Sequence, residues 1–280
     1  MATAPTKSKK ANAKKPAAKP VAKSAAMPTA NPTVARMSLA ETMRNLAKAG
    51  NAQARKTYAR HGAQEPMFGV SFATLKTMVK RIRVDHELAL ALWDTGNHDA
   101  RVLAMKIAEA AKITPMDLDR WARETTMNGC GMYVAALAAE SPHGAAKGRE
   151  WLASPDPALR AAGWTLCGYL SNLNEKIPDE WFAARLEHIE KSIHTAANAD
   201  RLAMNSALIR IGGRSSALRK AAIAAAKRII GRIEVDHGDT SCKTPDAIPY
   251  IEKMWAHATA KKFPSPAAQE RARESMRTRC

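Results

Sequence analysis

What this 280-residue chain lacks narrows its reading before any motif does. Cysteine occurs four times, at 130, 167, 242 and 280, with no CxxC pair and no zinc-finger spacing. A disulfide framework is excluded at that density, and a reducing cytoplasm fits it best. No apolar run reaches the roughly 18 residues of a membrane-spanning helix, so no membrane partner is expected. The first 36 residues carry no apolar h-region, which argues against a secretory signal. Alternating β-branched stretches are nearly missing, so sheet is not expected. Acid is scarce as well: 26 Asp and Glu stand against 44 Lys and Arg, a net charge of +18. That balance favours a polyanionic partner, nucleic acid first.

Residues 1–36 are low-complexity text of Ala, Lys, Pro, Thr and Ser with little to bury, and are expected to be a disordered basic tail. Such a tail can hold nucleic acid by phosphate neutralisation; a solubilising leader or an arginine-poor transit peptide are the alternatives. It holds seven lysines, Arg36 and no acid, so +10 of the charge remains in residues 37–280. The body is basic in its own right.

From Met37 the text is helical. "SLAETMRNLAKAG", "SFATLKTMVKRI", "ARVLAMKIAEAAK" and "DEWFAARLEHIEKSI" all space apolar residues at about 3.6. Ser38 with Glu41 forms a capping box, Thr114-Pro115 and Pro178-Asp179 mark helix starts, and Gly212-Gly213 is a stop. Three segments echo one another: "HDARVLAMKIA", "DPALRAAGWTLC" and "NADRLAMNSALI" each set an Asp just before an Arg that opens a helix of small apolar residues. Their arginines lie 59 and then 41 residues apart. Periods of this length predict an all-α fold, a curved HEAT-type α-α solenoid of stacked helix pairs. The expected divisions are the tail 1–36, a repeat domain 37–233, and an ordered loop with a helical cap and basic end over 234–280.

Arg101, Arg160, Arg201 and Arg210 recur on helices that form successive rungs. On the concave side their spacing suits the phosphates of one DNA groove, with Asn205 as a polar partner. The alternative is a solvated outer face with salt bridges that tie helices together. Of the six tryptophans, Trp93, Trp121, Trp164 and Trp181 sit in apolar-periodic helices and are expected to pack; Trp164, four residues after Arg160, could instead lie beside the groove.

The stretch "VDHGDTSCKTPDAIPYIEKMW" draws attention because it gathers His237, Asp239 and Cys242 within six residues. As a metal site it would mix hard and soft donors in one short loop without a second cluster, so no metal is expected. As catalysis, Cys242 would be the nucleophile, His237 its base, and Lys243 would depress the thiol pKa. As structure, its turn formers and "TPDA" helix entrance make it an ordered cap, whose N–H groups with Lys243 could hold a phosphate.

"MFGVSFATLKTMVKRI", "ELALALWDTGNHDARVLAMKIAEA" and "WARETT" resemble the DNA alkylation repair protein family, the HEAT-like-repeat DNA glycosylases, over roughly residues 40–230. The resemblance implies a solenoid whose basic concave face holds double-stranded DNA, and whose active members excise N-alkylated purines. It implies a Trp and an Asp after a "TT" motif, an Arg one repeat on, and a further Trp after that. A carboxylate there stabilises the oxocarbenium-like transition state while aromatic faces hold the cationic base. This chain reads "ETTMNGCGMYVAA": Gly129 stands for the aromatic and Tyr133 for the carboxylate, with no acid between Glu124 and Glu140. Arg160 matches, and Ser206 replaces the later Trp. The expectation is a monomeric, cytoplasmic, nucleoid-associated protein that binds damaged or distorted duplex DNA, needs no cofactor, and lacks the usual catalytic acid. Arg160, Cys242 and His237 are the remaining catalytic candidates, and Arg101, Arg160, Arg201, Asn205, Arg210 and Lys243 the DNA-binding ones. An alkylpurine glycosylase built on other groups and a HEAT-type scaffold for acidic proteins are the competing readings.

Overall fold

Residues 36–125, 130–229, 231, 233–275 and 277 are described in a computed structural model. Among them the chain is helical throughout, with a lone antiparallel bridge, Gly50 to Val70, and no strand. The helices are α1 (Leu39–Ala49), α2 (Ala52–Arg60), α3 (Phe72–Ile82), α4 (His86–Asp94) and α5 (His98–Ile107). There follow α6 (Pro115–Glu124), α7 (Gly131–Glu140), α8 (Gly144–Leu152), α9 (Pro157–Leu173) and α10 (Asp179–Ser192). The last are α11 (Asn198–Ile211), α12 (Ser216–Arg228), α13 (Ala247–Ala260) and α14 (Pro266–Arg271).

Local sequence fixes where these helices begin. The side chains of Ser38, Asn51, Ser71, Asp85, Asn97, Thr114, Asp156 and Ser215 each accept a backbone N–H from their own first turn. Each satisfies a donor that the helix leaves unpaired. Pro115 and Pro157 open their helices where no N–H is missed.

Packing pairs α4 with α5, α6 with α7, α8 with α9, α10 with α11 and α12 with α13, the stacked arrangement of an α-α solenoid. Helices α9 and α11 run the same way: Arg160 near the start of α9 meets Asp200 at the start of α11. Beyond the end of α11, Arg214 donates to the Ser171 and Asn174 carbonyls where α9 finishes. Tryptophans lock successive pairs. Trp93 of α4 stacks on Trp121 of α6 with ring centroids 4.2 Å apart and planes within 6°. Trp151 of α8 donates its Nε1–H to Asp119 of α6 at 2.7 Å. Trp164 is buried and packs against His188.

Two polar devices hold the body, Met37–Cys280, together. Asp99 in the first turn of α5 is fully buried, and its carboxylate accepts the backbone N–H groups of Phe68, Gly69 and Val70 at 2.6, 3.0 and 2.7 Å. The other lies where helices end. Arg271 donates to the Asn172 carbonyl, and Arg277 to those of Met105 and Ala108 and to the Glu140 carboxylate. Lys106 Nζ returns a bond of 2.9 Å to the Arg277 carbonyl. The chain after α13 therefore crosses the carboxyl ends of α9, α7 and α5 in turn, with cations set on the last carbonyls and the negative end of each dipole. No described helix is long and apolar enough to cross a membrane.

Candidate nucleic-acid interface

Arg101, Arg160 and Arg201 occupy one register: each is the fourth residue of its helix, α5, α9 or α11. Arg160 and Arg201 reach back to the loops entering their helices, and Arg101 reaches the last turns of α4 and α6. Arg101 bonds the carbonyls of Trp93 and Glu124, Arg160 those of Ser154 and Pro155, Arg201 those of Ala196 and Glu234. Two of them also meet carboxylates, Arg101 with Glu124 and Arg160 with Asp200, both at 2.7 Å. The arginines of the repeat thus tie neighbouring rungs, the structural role weighed for them. Their side chains remain 26% and 30% exposed for Arg101 and Arg160, so part of each fork still faces solvent. A guanidinium has five donors, and a pinned one loses little freedom on meeting a phosphate.

The other two groove candidates lie elsewhere. Arg210 is nine residues beyond Arg201 on α11, with its guanidinium 4.4 Å above the Tyr169 ring. Asn205 is fully buried, and its amide donates to the Pro245 carbonyl at 2.9 Å. It fastens the segment before α13 to α11 and does not face a phosphate, a correction to the expected polar contact. The alternation of α11 could not reveal this, because both of its faces are covered.

The loop between α12 and α13 is anchored at its base. Asn198 and Asp236 exchange two hydrogen bonds, side chain to backbone in both directions, at 2.8 and 2.7 Å. His237 Nε2 lies 3.0 Å from Thr244 Oγ1, which spans the loop. One of the two ring nitrogens of His237 is thus engaged by Thr244, while the Cys242 backbone N–H bonds Thr240 Oγ1. Among the described residues no group of three His, Cys, Asp or Glu could hold a metal ion. Lys243 and Cys242 are exposed at the tip. Burial pushes the thiols of Cys130 and Cys167 up to about 12, far from thiolate at neutral pH. Iodoacetamide on the native protein is therefore expected to carboxamidomethylate Cys242 and spare Cys130 and Cys167 in a peptide map; equal labelling of the three would contradict this burial.

Gly129, the expected place of the family's aromatic, lies outside the described residues. Tyr133 lies in the first turn of α7, its ring 3.7 Å from the Lys106 ammonium. The two acids bordering the gap are both occupied. Glu124 accepts from Trp93 Nε1 and from Arg101, and Glu140 from Arg277 and Ser275. The Trp93–Glu124–Arg101 cluster escaped the sequence reading, which sought an acid only after "TT"; the residue directly before Thr125 was the available signal. Also missed was a groove of about 670 Å³ with Tyr250 on its rim.

Comparison with known proteins places these observations. A family model described as DNA alkylation repair enzyme matches residues 42–251. An uncharacterized protein of Listeria innocua is 28% identical over 204 residues, covering 71% of this chain and 88% of that protein. An uncharacterized protein of Listeria monocytogenes matches to the same extent. A solved structure, described as a new family of proteins related to the HEAT-like repeat DNA glycosylases with affinity for branched DNA structures, superposes with a TM-score of 0.71. It is 28% identical and covers 79% of this chain and 95% of its own.

Proposed function

Because the chain belongs to the DNA alkylation repair enzyme family, we propose that it binds branched or otherwise distorted duplex DNA on a basic face, without the family's carboxylate-assisted base excision. The row of Arg101, Arg160 and Arg201 in one register carries this reading. To this row we add Lys243, exposed on the loop whose base the Arg201 guanidinium holds at Glu234. The body's +10 supplies the sequence-independent share of affinity, and the solved relative's affinity for branched DNA supports the choice of substrate shape. We place the protein, as a monomer, on nucleoid DNA in the cytoplasm.

Excision would need a carboxylate beside the departing sugar. Residues 125–139 supply none, and Glu124 and Glu140 are each neutralised by a guanidinium. The chemistry left to the site is recognition: charge along the backbone, with shape selected by how cheaply the DNA bends.

The test is a salt-dependent titration of the full chain and of residues 37–280 with intact, branched and methylated DNA. Branched DNA should bind tightest, and Lys243→Ala should weaken binding to every DNA shape while lowering the salt slope by about one. Loss of all binding with the tail removed, or binding indifferent to salt, would refute the basic face. Release of methylated base would refute the absence of excision.

A further inference from the structure

The groove of about 670 Å³ lies between helices α7, α9 and α11 on one side and α13 and α14 on the other. Its volume falls within the roughly 300–1,000 Å³ of small-molecule sites. At its wall Asn172 is 6% exposed, yet its Oδ1 is buried without a hydrogen-bond partner. That acceptor has no donor among the described residues, and a ligand N–H would satisfy it. The residue is held firmly, since Arg271 bonds its carbonyl at 2.9 Å.

The rest of the lining defines that donor's molecule. Tyr250 is half exposed at the rim and Tyr133, with the Lys106 ammonium against its ring, also lines the groove, so two aromatic side chains border the space. Three cations line the same space: Arg210, Lys253 and Arg273. Glu270 is the single acid of the lining and is paired with Arg273 at 2.9 Å. Hydrogen bonds tie the walls together. Trp255 of α13 donates to the Gly212 carbonyl at 2.7 Å, Ala267 N–H to Gly213 at 3.0 Å, and His257 meets Gln269 across α13 and α14 at 3.1 Å.

We propose that this groove binds one nucleotide. The base would lie against the tyrosines and donate an N–H to Asn172 Oδ1, and the phosphate would face Arg210, Lys253 and Arg273. A heteroaromatic ring, an N–H donor and an anion in one small molecule is the nucleotide's combination, and base–aromatic stacking is indifferent to which base is present. Two sources share that chemistry, a free nucleotide and an unpaired nucleotide of a DNA strand; the second rests on the DNA-binding function proposed above, the first does not.

The experiment uses the full chain and 2-aminopurine, whose fluorescence falls on stacking. The probe is offered as the free deoxynucleoside monophosphate, at an unpaired position of a forked oligonucleotide, and at a paired position of duplex. We expect saturable quenching of the free or the unpaired form and none of the paired one. Tyr250→Ala, an exposed change that spares the fold, should weaken it tenfold or more, and Asn172→Ala should do likewise. Quenching by the free probe assigns the groove to a free nucleotide, and quenching confined to the fork assigns it to DNA. No saturable quenching, or quenching untouched by Tyr250→Ala, overturns the proposal. Gel retention of unlabelled branched DNA, measured in parallel, reports the proposed function separately: its absence alongside free-nucleotide quenching would sink that function and leave the groove standing.

Discussion

Asp99→Ala is expected to lower the free energy of unfolding by about 3–5 kcal/mol, the range for stripping a buried charge from its partners. The carboxylate is wholly buried and accepts three consecutive backbone N–H groups, from Phe68, Gly69 and Val70. Removing it leaves three donors facing a void, and each buried unpaired donor costs about 1–3 kcal/mol. Asp99→Asn should recover little of the loss. It keeps one carbonyl oxygen but turns an NH₂ toward other donors. Urea denaturation followed by circular dichroism measures both; a midpoint within error of wild type would mean that the turn at 68–70 is held by other contacts.

The second large effect is at Arg277. Its side chain is 6% exposed and spreads over the Met105 and Ala108 carbonyls and the Glu140 carboxylate, at 3.0, 2.8 and 2.7 Å. Arg277→Ala is expected to cost about 3–5 kcal/mol, since Glu140 loses its cation and two helix-end carbonyls their donor in a low-dielectric setting. Arg277→Lys should fall between, because an ammonium cannot fork across carboxylate and carbonyls at once. Arg273→Ala is the control. That arginine is 38% exposed on a single-turn ion pair, worth at most about 1 kcal/mol. Equal losses at the two positions would show that the burial of Arg277 adds nothing.

The outline of the molecule was legible in the sequence and its long-range polar contacts were not. Apolar spacing and capping residues act within a few positions, so Ser38, Thr114 and Asp156 announced their helices correctly. The echoed Asp–Arg pairs were visible too, but only as pairs. An Asp near a helix start reads as serving that helix, and Asp99 instead reaches amides about thirty residues earlier. Arg160 finds Asp200 forty residues on. The partners of Arg277 are mostly carbonyls, which every residue carries, and composition therefore gave no hint of them. Asn205 was misplaced for a related reason: an asparagine looks the same whether it faces solvent or fastens a buried loop.

The Arg277 contact has a consequence for how the molecule comes apart. In an open stack of helix pairs each unit touches only its neighbours, and the outermost can fray alone. Here a residue some 170 positions away in sequence is bonded to α5, so fraying at one end means breaking contacts near the other. Hydrogen exchange should report this as similar opening free energies for the amides of α5, α7, α9 and α11, with no gradient from the last pair inward. That result would give a chain of beads the cooperativity of a closed ring.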